Sequence, residues 1–382
     1  MELTAAERRR GLAAAIGCVT VFGLSVGEAV PLLALLLEAH GTDPVVTGLN
    51  AGSTFIGVIL GPLLAPRGVR LLGIRRMLLT CLALDAASFL LMRVFDGLPA
   101  WFALRMFGGM MGSSIFTASE AWINLLASEA TRGRIVGVYA AALSAGFGLG
   151  PVLLSWTGIK GWAPFVANAA ITALAALPLL GVGDMAEGFG RGRAASPLTM
   201  FTRAPFLLFA VAMFGLYESA LFTLLPIWGV RVGLGTSAAA ATVSTIYFGG
   251  IALQVPIGWL SDRVSRRAAL LLCGVVGLLG ALIVPAAASS LLALFCVLLV
   301  WGGTAGGIYP VALGMAGDRF RDGDLVAVNA AMIMAYGLGS LAGPALGGAA
   351  MDVWNPQGLS WFFVLLFACF LAATLGARRW AS

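Results

Sequence analysis

Continuous apolar runs of about 20 residues dominate the chain, and short stretches rich in arginine, glycine and proline separate them. A bilayer core about 30 Å thick needs about 20 apolar residues per helix, so each run has the length of a membrane-spanning helix. The strands of a β-barrel would alternate over about ten residues, and these runs do not alternate. The pattern therefore predicts an all-α membrane protein with twelve transmembrane helices. The predicted spans, numbered 1 to 12 in chain order, cover about residues 12–37, 44–65, 71–92, 100–125, 135–156, 162–182, 204–230, 237–260, 268–288, 290–315, 324–350 and 358–377.

A polar, glycine-rich stretch near the middle of the chain divides the spans into two groups of six. Gly146, Gly150 and Pro151 in span 5 recur in span 11 as Gly339, Gly343 and Pro344. Parallel repeats of six spans are a recurrent transporter architecture. We therefore predict two pseudo-symmetric halves of six helices each. The predicted organisation is an N-terminal half at 1–182, a cytoplasmic linker at 183–203 and a C-terminal half at 204–382.

The basic residues fall mainly on one side of the predicted membrane. Of the 23 lysines and arginines, the N-terminal segment and alternate loops hold all but Arg93, Lys160, Arg231 and the intramembrane Arg105. The positive-inside rule then places both termini in the cytoplasm, which requires an even number of spans. Because the formal charge of +6 is spread over short loops, it indicates membrane topology and no nucleic-acid partner.

Composition and motifs argue against several function classes. Only 10% of the residues are charged, against about 25% in soluble domains. No glycine-rich loop precedes the single lysine, Lys160, so an ATP-driven pump is not expected. The single histidine, His40, excludes a His-based metalloprotease, and the five cysteines form no CxxC pair. We expect no enzyme activity, no cofactor and no metal.

Three motifs resemble one family of transporters. The loop after span 8 reads Gly-Trp-Leu-Ser-Asp-Arg-Val-Ser-Arg-Arg from Gly258 to Arg267. It resembles the signature loop of the major facilitator superfamily, G-x-L-x-D-R-x-G-R-R, without the second glycine. The loop after span 2 has Ala65 and Pro66 where the aspartate belongs. Arg105 with its following glycines resembles the family's second motif, and residues 146–151 resemble part of its antiporter motif.

The resemblance implies a bacterial secondary transporter of the inner membrane that works by alternating access. We expect a monomer in the lipid bilayer whose partners are a small-molecule substrate and protons. In the family arrangement, spans 1, 4, 7 and 10 line a central cavity. Export of small amphipathic or cationic compounds is the favoured interpretation. Uptake of a sugar or organic acid and flipping of a lipid or lysolipid are the alternatives.

The signature loop predicts a cytoplasmic gate. Asp262 would face the positive N-terminal end of span 5, which follows Arg132 and Arg134. The alternative interpretation is a basic loop whose only role is to set the membrane topology. Glu120, near the cytoplasmic end of span 4, would pair with these arginines or serve as a substrate exit site. The predicted gate comprises Asp262, Arg263, Arg266, Arg267, Glu120, Arg132 and Arg134.

Ionisable residues inside predicted spans are costly, at least about 2.5 kcal/mol each, and mark candidate functional sites. At 1.5 Å per residue, Glu28, Asp85 and Arg105 all fall in the outer half of the membrane. If Arg105 pairs with Glu28, protonation of Glu28 couples to gating. If it pairs with Asp85, the pair is a structural brace.

Glu218 lies near mid-depth in span 7, and the second half offers no basic residue at that depth. It is interpreted as a proton carrier, as a counter-charge for a cationic substrate, or as a neutral acid bonded to a neighbouring helix. We predict Glu28, Arg105 and Glu218 as the proton-coupling and substrate residues. Polar residues that are candidate cavity-lining positions are Asn50, Tyr217, Tyr247, Gln254, Asn329 and Tyr336.

Overall fold

The structure is a computed structural model that describes residues 5–40, 44–181 and 196–377. Within these ranges the regular elements are all helices. They are α1 (Ala5–Ala39), α2 (Pro44–Leu72), α3 (Ile74–Val94), α4 (Leu98–Leu126), a 3₁₀ turn (Glu129–Thr131), α5 (Arg132–Thr157), α6 (Ala163–Leu174), α7 (Ala176–Leu180), α8 (Pro197–Arg203), α9 (Pro205–Arg231), α10 (Thr236–Arg263), α11 (Arg266–Ala287), α12 (Leu291–Ala305), α13 (Ile308–Arg319), α14 (Asp322–Val353) and α15 (Gly358–Gly376).

Eleven helical stretches of the described chain are long and apolar enough to cross a membrane. Helices α6 and α7 together make one such stretch, and α12 and α13 make another. The fourth predicted span, α4, is not among the eleven, although its 29 residues are about 43 Å long. Its buried residues include the ionisable Arg105 and Glu120. With α4, the described helices match the twelve predicted spans and confirm the all-α membrane fold.

The chain forms two compact units. Unit 1 comprises Met1–Ala127, Ala142–Met200 and Phe320–Met334, and unit 2 comprises Ser128–Ala141, Phe201–Arg319 and Ala335–Ser382. The predicted linker at 183–203 lies outside the described residues as far as residue 195, and α8 occupies its end. The boundaries of the predicted halves stay a prediction.

Glycines bring α2 and α4 into close contact in unit 1. A Cβ atom on Gly109 would overlap the backbone carbonyl of Thr54, and one on Gly57 would overlap that of Met106. Close backbone approach through small residues is the usual way in which membrane helices associate, because lipid supplies no hydrophobic drive between them. The contact fixes which residues of α2 face α4.

An apolar cluster fills one end of unit 1 and surrounds the second half of α1. Leu32 and Leu33 of α1 pack with Phe89, Trp101 and Phe165 from three other helices. Trp101 Nε1 donates a hydrogen bond to the Met92 carbonyl at 3.0 Å, so its polar atom is satisfied within the cluster. Glu28, one turn before Leu32, therefore enters a packed interior.

Unit 2 uses the same kind of contact between α9 and α14. A Cβ atom on Gly215 would overlap the Tyr336 carbonyl, and one on Gly339 would overlap the Ala212 carbonyl. The Ser340 hydroxyl donates to the Gly215 carbonyl at 3.4 Å. This close crossing brings the side chain of Tyr336 next to α9.

Candidate functional site

Glu218 of α9 has one hydrogen-bond partner on α14. The Tyr336 hydroxyl donates to Glu218 Oε2 at 2.6 Å. Both side chains are only partly buried, so the pair borders accessible space. Among the described residues no ion pair includes Glu218, in agreement with the sequence, which offers no base at this depth. The described hydrogen-bond partner of the carboxyl group is therefore a neutral hydroxyl.

Aromatic rings from four helices form contacts next to Glu218 and its partner Tyr336. Phe214, Tyr309 and Tyr336 form a cluster whose ring centroids are 5.9, 6.1 and 6.2 Å apart. Tyr247 of α10 stacks on Phe222 at 4.6 Å, with the ring planes 10° apart. Phe222 lies one helical turn after Glu218, on the same face of α9. We call Glu218 and these five aromatic residues the acidic–aromatic site.

Most members of the acidic–aromatic site are partly accessible, whereas their neighbours on the other faces are buried. Tyr309, Tyr247 and Phe222 are all partly buried, as Glu218 is. Tyr217, the residue before Glu218, is only 2% exposed and packs between Trp301, Phe363 and Phe367. Neighbouring residues on a helix point in directions about 100° apart. Of the predicted lining residues, the structure thus brings Tyr247 and Tyr336 to Glu218 and packs Tyr217 elsewhere.

The other predicted lining residues, Asn50, Gln254 and Asn329, are buried. Gln254 of α10 is largely buried, and its Nε2 would lie 3.6 Å from a Cβ atom on Gly306 of the α12–α13 turn. Asn329 is fully buried in unit 1, and neither its side-chain oxygen nor its nitrogen has a hydrogen-bond partner among the described residues. Phe222 and Tyr309, which the sequence prediction missed, could have been found as aromatic residues on spans 7 and 10.

Glu28 lies in a buried polar network between α1 and α6, and its Oε1 atom has no hydrogen-bond partner among the described residues. Asn168 Nδ2 donates to Glu28 Oε2 at 3.0 Å and to the Ser25 carbonyl at 2.9 Å. The Ser25 hydroxyl donates back to Asn168 Oδ1 at 2.7 Å. Glu28 and Asn168 are fully buried. The network consists of neutral groups around one carboxyl, and its described contacts belong to a helix–helix interface.

Arg105 of α4 has neither of the two carboxylate partners that the sequence left open. Its Nη1 donates to Asn50 Oδ1 at 3.1 Å and its Nε donates to Thr54 Oγ1 at 3.3 Å. Among the described residues no ion pair includes Arg105. The glycine crossing of α2 and α4 places the polar face of α2 closest to Arg105. Both predicted pairings, with Glu28 and with Asp85, are corrected in this way.

Asp85 of α3 faces the same helix one turn further along. A Cβ atom on Gly108 would lie 3.5 Å from Asp85 Oδ1 and 3.6 Å from the Ser88 hydroxyl oxygen. The carboxyl group is largely buried, and Ser88 donates its hydroxyl to the Asp85 backbone carbonyl at 2.7 Å. Asp85 thus packs against the glycine face of α4 without bonding to the guanidinium.

Asp262, at the end of α10, binds the N-terminus of α5. Its Oδ1 accepts the Gly133 backbone N–H at 2.6 Å, and its Oδ2 accepts the Arg134 backbone N–H at 2.8 Å. The first backbone N–H groups of a helix have no partner within the helix, so a carboxylate at this point satisfies them and meets the positive helix end. The predicted contact between Asp262 and the N-terminal end of α5 is thus observed, and all of its residues belong to unit 2.

Arg266 and Asp318 extend this contact into an ion-pair network. Arg266 Nη1 donates to Asp262 Oδ1 at 2.8 Å, and Arg266 Nε donates to Asp318 Oδ2 at 3.0 Å. Asp318 of α13 also pairs with Arg132. The sequence prediction missed Asp318, and the available signal was its place just after predicted span 10.

The remaining predicted gate residues have other contacts. Arg267 donates to the carbonyls of Thr374 and Leu375 at the end of α15, at 3.2 and 2.8 Å. Arg263 lies 4.3 Å from the ring centroid of Trp259. Glu120 is fully buried in unit 1, and its pairing with Arg132 or Arg134 stays a prediction.

The helical content and the eleven membrane-length helical stretches of the described chain define a multi-pass membrane protein. A sequence profile of the Major Facilitator Superfamily matches residues 14–250 and 207–379. The chain belongs to this superfamily.

Related sequences align with this chain over nearly its whole length. YfkF of Bacillus subtilis (strain 168), an uncharacterized MFS-type transporter, is 25% identical over 368 residues, which cover 94% of each chain. An uncharacterized MFS-type transporter of Enterobacter sp. (strain 638) is 26% identical over 360 residues, which cover 93% of this chain and 92% of the relative.

Among solved structures, the fucose:proton symporter FucP of E. coli matches with a TM-score of 0.78 at 14% identity, covering 97% of this chain and 98% of FucP. The human organic anion transporter MFSD10 matches with a TM-score of 0.75 at 21% identity, covering 96% of this chain and 99% of MFSD10. These similarities show the fold.

Proposed function

We propose that this transporter exports small amphipathic cations in exchange for protons, and that Glu218 binds the two in turn. The observation that carries the proposal is a partly accessible carboxyl group bonded to Tyr336 and close to aromatic rings. A carboxylate attracts a cation, and aromatic faces add about 0.5–2 kcal/mol each by cation–π interaction. Sugars would instead call for several amide and charged hydrogen-bonding groups.

Exchange follows from competition for one group. A proton neutralises Glu218 and removes the charge that holds the cation, so the two ligands oppose each other's binding. The Tyr336 hydroxyl accommodates both states, because it donates to the carboxylate and can also accept from the protonated acid. Two solved neighbours, FucP and XylE, are named proton symporters, so proton coupling occurs on this fold.

The rest of the mechanism follows the superfamily's alternating access. In the proposal, the halves at 1–182 and 204–382 rock about a midplane site, and the linker at 183–203 joins them on the cytoplasmic side. The Asp262 contacts with α5 hold the cytoplasmic side closed until they break. The monomer, with both termini in the cytoplasm of a bacterial cell, is the proposed working form.

Flux measurements in proteoliposomes test the proposal. Purified protein is reconstituted, an acid-inside pH gradient is imposed, and accumulation of tetraphenylphosphonium is followed. Wild type should accumulate the cation until nigericin collapses the gradient. Glu218→Gln should not, whereas Glu28→Gln, which changes a carboxyl of the buried α1–α6 network, should behave as wild type. If tetraphenylphosphonium accumulates equally with and without the pH gradient, proton exchange is contradicted. If wild type does not accumulate tetraphenylphosphonium at all, the assignment to amphipathic cations is contradicted.

A further inference from the structure

Arg105 carries a positive charge that nothing in the described part of the chain neutralises. The side chain is only 7% exposed, and its described hydrogen bonds go to the neutral groups of Asn50 and Thr54. The nearest candidate acids are engaged elsewhere, since Glu28 binds Asn168 and Asp85 packs against Gly108. An isolated buried charge is costly unless a counter-ion joins it.

Asn50 adds a second unsatisfied donor beside the guanidinium. A guanidinium has donors only, so the atom of the Asn50 amide that accepts from it must be the oxygen, and the NH₂ group is left without a bond to Arg105. Asn50 is fully buried, and its Nδ2 atom has no hydrogen-bond partner among the described residues. The orientation of the amide is thus fixed by chemistry, and its Nδ2 donor is buried close to the guanidinium without an acceptor among the described residues.

The N–H groups of Arg105 and Asn50 that have no acceptor indicate which class of ligand could bind. Arg105 retains Nη2, with no hydrogen bond from it among the described residues, and Asn50 retains Nδ2. A cationic or purely donating ligand would meet only like groups here. A planar carboxylate offers two oxygens with the spacing of a guanidinium fork, and such paired bonds are among the strongest in proteins. Thr54, one turn after Asn50 on α2, holds the guanidinium in place from its Nε side.

We infer that Arg105 and Asn50 form a binding site for the carboxylate group of a small organic molecule. The site lies within unit 1, and it does not rest on the cation exchange proposed for Glu218 of unit 2. Arg105 supplies the charge and the fork, Asn50 supplies the second donor, and Thr54 orients Arg105. The inference assigns Arg105 a role in ligand binding, distinct from the ion pairs that the sequence suggested.

Thermal unfolding of the purified full-length protein tests the inference with benzoate as the probe. Benzoate should raise the melting temperature in a concentration-dependent way, while benzamide, which has the same ring without the charge, should not. Arg105→Lys keeps the charge but loses the fork, so the apparent affinity for benzoate should fall at least tenfold. Glu218→Gln should respond to benzoate as wild type does.

Asn50→Asp is the decisive variant, because it places a carboxylate beside Arg105 and removes the free donor. It should unfold at a higher temperature than wild type without ligand, and it should lose the response to benzoate. An unchanged benzoate response in Asn50→Asp would overturn the inference. Equal stabilisation by benzamide, or by chloride at the same concentration, would overturn the assignment to carboxylates.

Discussion

Two glutamates, at positions that the sequence marks as equivalent candidates, have contrasting surroundings. Glu28 is fully buried between α1 and α6 and bonded to Asn168. Glu218 is partly accessible and faces aromatic rings from several helices. Both are acidic residues inside predicted spans, and the sequence does not say which of them is accessible. Their difference lies in what each side chain touches, and it makes Glu218 the better candidate for exchange.

The Glu28 network should tolerate loss of charge but not loss of its central amide. Glu28→Gln keeps an oxygen that accepts from Asn168, so thermal stability should change little. Asn168→Leu leaves Glu28 Oε2 without its described donor and removes one hydrogen bond each from the Ser25 carbonyl and the Ser25 hydroxyl. The unsatisfied carboxyl oxygen alone costs about 1–3 kcal/mol, so the variant should melt markedly earlier in a thermal unfolding assay. Equal melting temperatures for the two variants would contradict the network's structural role.

We expect the Tyr336 hydroxyl to contribute to cation affinity and the Tyr217 hydroxyl to make no contribution. Tyr336→Phe keeps the ring but removes the donor to the Glu218 carboxylate, a type of bond worth about 1.5–3 kcal/mol. Cation affinity, measured by equilibrium binding of tetraphenylphosphonium, should fall about tenfold or more. Tyr217→Phe is the matched control, since the Tyr217 hydroxyl is buried without a partner among the described residues. A larger loss in Tyr217→Phe than in Tyr336→Phe would argue against the acidic–aromatic site.

The partners of Arg105 show what sequence leaves open at the residue scale. A rise of 1.5 Å per residue gives the depth of a side chain, and depth alone allowed Glu28, Asp85 or neither. The direction of a side chain depends on helix rotation, at about 100° per residue, and rotation is set by packing. Here the glycine crossing turned Arg105 toward α2. By contrast, Asp262 was placed correctly because its motif fixes both its height and its neighbouring helix.

At the scale of elements, glycine contacts determine how α2 and α4 associate. Gly109→Ala would drive a Cβ into the Thr54 carbonyl, so α2 must shift, at a cost of about 1–3 kcal/mol. Gly52→Ala on α2 meets open space within 4 Å and should be neutral or stabilising by up to about 1 kcal/mol, since alanine favours helices. Thermal unfolding of the two variants compares them directly. A milder effect at Gly109 than at Gly52 would contradict the contact.

The junction of α10 with α5 depends on a carboxylate with two acceptor oxygens. Asp262→Asn replaces one oxygen by an NH₂ group, which faces a backbone N–H of Gly133 or Arg134 and leaves it unsatisfied. We expect a loss of about 1–3 kcal/mol in thermal stability and slower transport. Asp96→Asn, in the exposed turn between α3 and α4, removes the same charge and should change neither. An Asp262→Asn variant as stable as the Asp96→Asn control would show that the contact is dispensable.

Helix lengths were largely predictable from the sequence, and helix interruptions were not. Apolar runs gave the spans because the bilayer sets their length. Span 10 breaks after Ala305, at Gly306 and Gly307, and span 6 breaks between Leu174 and Ala176. Both breaks occur inside apolar sequence, where hydropathy does not change. Such interruptions depend on local backbone packing, which composition does not record.

For the whole molecule, the fold follows from features spread over the full chain, whereas the choice of substrate follows from a few side chains. The superfamily membership and the twelve-span fold follow from apolar runs and loop motifs spread over the full chain. In the proposed mechanism, the substrate depends on a few aromatic side chains that converge from α9, α10, α13 and α14. A superfamily fold hosts many substrates, so these side chains carry the functional argument.

Proton release on cation binding tests the central claim most directly. Tetraphenylphosphonium is added to purified protein in weakly buffered solution, and released protons are counted with a pH indicator across a series of starting pH values. If cation and proton compete for Glu218, wild type should release up to about one proton per bound cation, more at low starting pH than at high pH. Glu218→Gln should release none. Cation binding without proton release at every pH, or equal release from Glu218→Gln, would contradict exchange at this residue.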